Sequence, residues 1–301
     1  MNHRYGLILA GGRGTRFWPR SRRSRAKQVL NFFGERTLIQ QTVDRLRPVL
    51  PPERIWILTN HHLRAEIVKQ LPEVPKKQIL AEPAQRNTAP AIGLAAQIIH
   101  SVDPHAVMGV FPADHVIAKP SAYAKLLVPA FNAAAAGHIV VLGIQPRWAE
   151  TGYGYIEFPK GAAPVRKAVP IVRFREKPNA KTAQEFVEAG NYYWNAGMFF
   201  WKTQVLLDAM RECLPKTASL LASLPKFGSR TFSEKLEAVF PLCENISIDY
   251  AVLERAKNVA GIAAGDIGWN DVGSWNAVYE LHKRDANGNA LRAPAIVDRK
   301  S

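Results

Sequence analysis

The stretch 7-LILAGGRGTRFWPRSRRSRAKQ-28 constrains this chain more than any other. Leu7–Ala10 read as the end of a buried strand that runs straight into glycines at 11, 12 and 14. Glycine lets a backbone turn tightly and lie against a ligand with its N–H groups pointing at it. Seven cationic side chains follow between Arg13 and Lys27. Of these, Arg13, Arg16 and Lys27 can supply charge-assisted hydrogen bonds to phosphate oxygens. Two common phosphate loops do not fit. GGRGTRF lacks the third glycine of the dinucleotide fingerprint, and no GK[ST] follows at P-loop spacing. The plain alternative is a glycine turn with a solvated basic face, and Arg20, Arg22, Arg23 and Arg25 read either as such a face or as a lid that orders on an anion.

The charge balance points the same way. Forty Lys and Arg stand against 25 Asp and Glu, a net +15, so an anionic partner is expected. No recognised nucleic-acid motif is present, so nucleic acid is not the expected partner. No run approaches the roughly 18 apolar residues of a membrane helix, and Tyr5–Ala10 is too short for a signal-peptide core. Cys213 and Cys243 have no CxxC or paired histidines beside them, so no disulfide framework or zinc site is expected and a cytoplasmic location is.

Short apolar runs alternate with helical patterns. Tyr5–Ala10, Arg54–Thr59, Ala106–Phe111 and His138–Ile144 read as buried strands. A helix behind Thr37, another over His61–Leu71 and a third over Thr88–Val102 lie between them. That grammar implies right-handed crossovers and an α/β fold with a largely parallel sheet. Ligands bind at the carboxyl ends of such strands, here Gly11–Gly14, Glu82 and Asp114. Beyond residue 150, Tyr153–Phe158, Val169–Arg175 and Tyr192–Trp201 read as strands, with Gly161 and Pro164 between the first two. Amphipathic helices occupy about 203–256. The expectation is one domain over 1–285 in two halves, 1–150 and a substrate-facing 151–285, with 286–301 a short tail or the start of something further. Trp194, Phe199, Phe200 and Trp201 are expected in the core. His61, His62 and His115 lack ligand spacing and receive no role.

LAGGRGTRFWP…K resembles the signature of the sugar-phosphate nucleotidyltransferases, GGxGTRLxP…PK. The likeness extends over residues 5–285 through 82-EPAQRNTAPAI-92, 112-PADH-115, 152-GYGYIE-157, 175-REKP-178, 194-WNAGMF-199 and 269-WNDVGSW-275, which are similar to the mannose-1-phosphate guanylyltransferase branch. Two departures are Phe17 for leucine and Ala26 for the proline before Lys27, which would loosen the loop that aims the lysine. The resemblance implies a Rossmann-like, mixed but mostly parallel sheet flanked by helices, of the nucleotide-diphospho-sugar transferase (GT-A-like) kind. It implies an enzyme joining GTP and mannose 1-phosphate into GDP-mannose and pyrophosphate, with Mg²⁺ or Mn²⁺ held by Asp114 and Asp271. These two lie 157 positions apart. The catalytic set implied is Arg16, Lys27, Asp114, Lys177 and Asp271. The nucleotide would meet Leu9, Ala10, Gly11, Gly12, Gly14, Thr15, Arg16, Lys27, Glu82, Asn87, Thr88 and Asp114. The sugar phosphate would meet Gly152, Tyr153, Gly154, Glu176, Lys177, Asn195 and Asp271. Glu82 and Asn87 offer acceptors that suit guanine N–H groups and ribose hydroxyls. Another sugar 1-phosphate or base (glucose 1-phosphate with UTP or dTTP), a non-catalytic regulatory subunit, and homodimerisation stay open.

Overall fold

The computed structural model describes residues 3–12, 14–22, 25–162, 165–285 and 288–290; Arg13, Arg23, Pro164 and most of the expected tail lie outside them. A ten-stranded sheet forms the frame. Its first edge carries β1 (Arg4–Leu9), β2 (Ile55–Asn60), β3 (Ile79–Glu82) and β4 (Val107–Pro112), in the spatial order β3-β2-β1-β4 and all parallel. The chain grows to one side through β2 and β3, then returns to the other side of β1 for β4. That reversal creates a switch point between the carboxyl ends of β1 and β4, where the glycine turn and Asp114 emerge.

A two-residue strand, β5 (Val116–Ile117), follows β4, and β6 (Ile139–Ile144) rejoins the main sheet. The second half of the chain adds β7 (Tyr155–Glu157), β8 (Ala168–Pro170), β9 (Arg173–Arg175), β10 (Tyr192–Lys202), β11 (Val259–Ala263) and β12 (Trp269–Asn270). Long strand β10 inserts antiparallel between β4 and β6, so one sheet is built from both halves. β11 pairs parallel with β6 and antiparallel with β8, and β7 pairs antiparallel with both β10 and β9. Seven of the ten strands share one direction, which makes the sheet mixed but mostly parallel. β12 pairs apart with β5.

The single strand expected over Val169–Arg175 is two strands. Val169 pairs with β11, whereas Phe174 pairs with β7, so the segment changes neighbours at Ile171-Val172, just after Pro170, which has no N–H to donate.

Helices cover both faces. α1 (Leu38–Leu46) starts at a complete capping box, Thr37 with Gln40, and α2 (His61–Gln70) at Asn60. α3 (Thr88–Val102) starts at Asn87, and α4 (Pro120–Ala135) has proline in its first turn. α5 (Ala180–Ala189), α6 (Thr203–Cys213), α7 (Pro215–Ala222), α8 (Phe232–Val239) and α9 (Trp275–Leu281) follow. Strand side chains alternate between the two layers. Ile8, Ile57 and Phe111 pack with α1, α2 and α4, while Leu7, Leu58 and Val110 pack with α3, α6 and α8. A sheet apolar on both faces has to be sandwiched this way, and each fully buried Leu or Ile contributes roughly 1.5–3 kcal/mol. Trp194, Phe199, Phe200 and Trp201 are buried along β10. A third cluster, Phe17, Leu30, Phe32, Val116, Val272 and Val278, ties the glycine turn to the segment leading into α9. Among the described residues no helix is long and apolar enough to cross a membrane.

Candidate active site

The glycine turn is held from beneath by its carbonyls. Gln28 Nε2 donates to Ala10 O (2.6 Å) and Gly12 O (2.9 Å), Thr59 Oγ1 donates to Ala10 O (3.0 Å), and Asn60 Nδ2 donates to Gly11 O (3.2 Å). With three successive carbonyls engaged on one side, the amides of Gly11 and Gly12 have no partner among the described residues. An anion would find the turn's donors, not its acceptors. Gly14 has φ 59° and lies so close to Lys27 that a Cβ would sit 2.7 Å from the Lys27 amide nitrogen. Only glycine allows that approach.

Leu9, Gly11, Gly12 and Arg16 line a cleft of about 880 Å³ together with Glu82, Asn87 and Thr88. Ala10, Gly14, Thr15, Lys27 and Asp114, expected to meet the nucleotide as well, are not among the residues that line it. Asn87 (φ 65°) accepts from the Thr88 amide at 2.9 Å and so caps α3. Thr88 turns its hydroxyl the other way, accepting from the Ile248 amide (2.9 Å). Glu82 ends β3 beside Gly11, and burial there pushes its carboxyl up to about 8.

At the centre, one ammonium joins two distant segments. Lys27 Nζ lies 3.0 Å from the Asp114 carboxylate and donates to the Asp271 carbonyl at 2.6 Å. Residues 157 positions apart therefore converge on one nitrogen. Burial works to raise the Asp114 carboxyl, but the charge and hydrogen bond of Lys27 outweigh it and hold Asp114 below the usual carboxylate range. Asp271 Oδ1 accepts from the Gly273 amide (3.2 Å), burial and the Asp271 charge hold the Tyr153 phenol above its usual range, and Arg16 Nη1 reaches Gly273 O at 3.4 Å.

The two departures from the signature are accommodated. Ala26 is fully buried with φ −68° and ψ 165°, the backbone a proline would impose, so the loop carrying Lys27 is held without one. Phe17 packs edge-on against Trp275 (5.3 Å between centroids) and tilted on Phe32 (4.9 Å). In the basic run, Arg20 donates to Asn31 O (2.9 Å) and lies over the Phe32 ring, while Arg22 and Arg25 pair through their backbones.

Gly152, Tyr153, Gly154, Glu176, Lys177, Asn195 and Asp271 line the far end of the same cleft. Lys177 Nζ pairs with Glu176 Oε1 at 2.7 Å, and its own φ is 43°. Tyr153 packs edge-on against Trp194 and Trp269, which fixes the ring under Asp271.

Sequence reasoning missed four contributors. His115 lines the cleft, and its Nδ1 accepts from Trp269 Nε1 (3.2 Å). Burial lowers it to about 4, with Asp114 opposing and Lys27 assisting, so it stays neutral. Arg147 and Trp148 form a rim, the guanidinium 5.1 Å from the indole centroid. Asp249, at the start of a π-helical turn, faces the Glu176 end and accepts from Asn195 Nδ2 at 2.9 Å. None of these carries a local spacing signal; only their fold neighbours mark them.

The chain is 38% identical over 291 residues to a mannose-1-phosphate guanylyltransferase of Sinorhizobium fredii, covering 95% of this chain and 56% of that protein. It is 37% identical to the alginate biosynthesis protein AlgA of Pseudomonas aeruginosa, covering 97% of this chain and 61% of the relative. The chain thus spans about three fifths of the length of such relatives. A crystal structure from Thermus thermophilus, described as a mannose-1-phosphate geranyltransferase, superposes with a TM-score of 0.82 at 34% identity, covering 94% of this chain and 80% of that one. A putative glucose-1-phosphate thymidylyltransferase of Bacillus anthracis shares the fold at a TM-score of 0.59 and 16% identity. The family model for nucleotidyl transferases matches residues 5–288, and the chain belongs to that family.

Proposed function

We propose that this chain transfers GMP from GTP to mannose 1-phosphate, forming GDP-mannose and releasing pyrophosphate. One observation carries the reading. A single cleft is lined by Gly11 and Gly12, whose amides have no partner among the described residues, by Glu82, by the Glu176–Lys177 pair, and by Arg16 and Asp271. That is the layout two phosphorylated compounds need to meet end to end. The names of the relatives at 37–38% identity support guanine and mannose as the two specificities.

In the proposed reaction a phosphate oxygen of the sugar phosphate attacks the α-phosphorus in line and pyrophosphate leaves. The nucleophile is already an anion at neutral pH, so no general base is needed. The obstacle is repulsion between two anions. Alignment along the cleft and neutralisation by Arg16, Lys27 and Lys177 answer it. Well-aligned reactants recover roughly 7–11 kcal/mol of barrier.

The donor set around Lys27 also suits a divalent cation. Asp114 and Asp271 supply hard oxygen ligands, and among the described residues no group of three His, Cys, Asp or Glu side chains converges. Mg²⁺ is ordinarily held by one or two carboxylates plus phosphate oxygens and water, so these residues fit it, and Mn²⁺ equally. When bound, the cation would add positive charge beside the triphosphate. Two unbridged thiols, Cys213 and Cys243, fit a reducing cytoplasmic setting.

The test is pyrophosphate release with GTP, UTP, dTTP and ATP, each crossed against mannose and glucose 1-phosphates, with Mg²⁺. GTP with mannose 1-phosphate is expected to dominate. A preference for UTP or for glucose 1-phosphate would overturn the choice of substrates, and silence in every cell would overturn the reaction.

A further inference from the structure

The sugar-facing end of the cleft contains an acceptor in need of a donor. Glu176 keeps only 7% of its side chain exposed, and Lys177 occupies its Oε1. Its other oxygen, Oε2, is buried with no hydrogen-bond partner among the described residues. Gly154 makes room for that oxygen, because a Cβ there would collide with it. A buried carboxylate oxygen without a donor is unfavourable unless a ligand completes it.

Asp249 stands at the same place. Its Oδ1 accepts from Asn195 Nδ2 at 2.9 Å, and Asn195 Oδ1 accepts from the Gly197 amide at 3.0 Å. The amide is engaged at both ends, so Asp249 is held in one position by β10. Asp249 forms no ion pair among the described residues, and burial plus the charge of Glu176 push its carboxyl up to about 7. Two neighbouring carboxyl groups that repel each other suit a ligand offering several O–H donors. A metal ion suits them less, because no cluster of three ligands is found among the described residues and Lys177 already supplies a cation.

We propose that Asp249 acts with Glu176 to accept the hydroxyl groups of the sugar, and that Asp249 is a specificity-determining residue for the sugar 1-phosphate. This rests on the assignment of that end of the cleft to the sugar phosphate. Asp249 reads hydroxyl positions, while Lys177 handles charge.

The test uses Asp249→Asn and Asp249→Ala in the full chain, with folding checked by thermal melting. The KM for mannose 1-phosphate is expected to rise roughly ten- to hundredfold, the loss of a hydrogen bond to a charged group, with the KM for GTP within about twofold. Calorimetry gives a readout independent of turnover: the affinity gap between GDP-mannose and GDP narrows in both variants. Mono-deoxy mannose 1-phosphates then separate contact from positioning. One analogue is expected to lose no further activity on Asp249→Ala, because its missing hydroxyl is the one Asp249 accepts. An unchanged sugar-phosphate KM, or equal losses across all analogues, overturns the proposal. Wild-type turnover tests the sugar-phosphate assignment separately. If another sugar 1-phosphate is the substrate, the same comparison applies to that sugar; if none binds, this inference falls with the assignment.

Discussion

Glu82 is a carboxyl group whose proton should report on nucleotide binding. It ends β3 against Gly11, and burial raises its pKa from the usual 4.5 to about 8. At pH 7 a group with that value is ionised in roughly one molecule in eleven; at pH 8 in about half, and at pH 6 in about one in a hundred. Only the carboxylate accepts two N–H groups from a guanine edge. The apparent affinity for GTP is therefore divided by the competent fraction: roughly elevenfold weaker than the limit at pH 7, about twofold at pH 8 and on the order of hundredfold at pH 6. Glu82→Gln removes both the charge and the titration. The γ-phosphate of GTP titrates in the same range, so the informative quantity is the ratio of variant to wild-type Kd, measured by calorimetry at several pH values. That ratio is expected to shrink roughly fiftyfold from pH 8 to pH 6, with nearly one proton released per GTP bound by the wild type at pH 7. The sign of the stability effect follows from the same shift. A carboxyl group raised above its unfolded value contributes fully at low pH and loses that contribution as pH rises through about 8. The glutamine variant should thus melt like the wild type near pH 4 and higher than it at pH 8.5. A ratio constant with pH, together with no proton release, would refute the role of Glu82 as the base-reading acceptor.

Three other perturbations address the centre of the cleft. Asp114→Asn should keep the fold and weak GTP binding but lower kcat by roughly a hundredfold or more; a circular dichroism spectrum and a pyrophosphate assay check both, and a normal rate would remove Asp114 from the mechanism. Gly14→Ala forces a side chain into left-handed backbone at about 1–2 kcal/mol and drives its Cβ into Lys27, so calorimetric melting should fall by several degrees and turnover with it. Ala26→Pro matches a φ of −68° at an amide with no described hydrogen bond, and should raise stability by about 0.4–1 kcal/mol in urea titrations; destabilisation would mean that the buried pocket around Ala26 rejects the ring.

What the sequence discloses and what it withholds divide along a physical line. Features set by neighbours within a few residues were legible. The capping box at Thr37, the start of α3 at Asn87 and the apolar runs of β1, β2, β4 and β6 all follow from local periodicity and side-chain-to-backbone bonds. The glycine turn belongs with them, since its composition alone implied a backbone meant to approach a ligand. Choices made between distant segments were not legible. Nothing within 192-YYWNAGMFFWK-202 says that this strand lies between β4 and β6, yet that insertion is what carries Asn195 to Asp249. The change of partners at Ile171-Val172 is equally a decision of the sheet. α4 is hard to read because an alanine-rich helix gives weak apolar periodicity before a face is chosen for it, whereas α5, capped at Asn179, carries a readable local signal. The candidate site shows the same division. Glu82 and the Glu176–Lys177 pair announce themselves at strand ends. Asp249 opens a π-helical turn inside the stretch expected to be helical, and its importance arises only because Glu176 stands beside it. Charged groups in this cleft are defined by whom they are forced to stand beside. Asp114 held low by Lys27 and Asp249 held high by burial and the charge of Glu176 are the same chemical group sorted to opposite behaviour by topology.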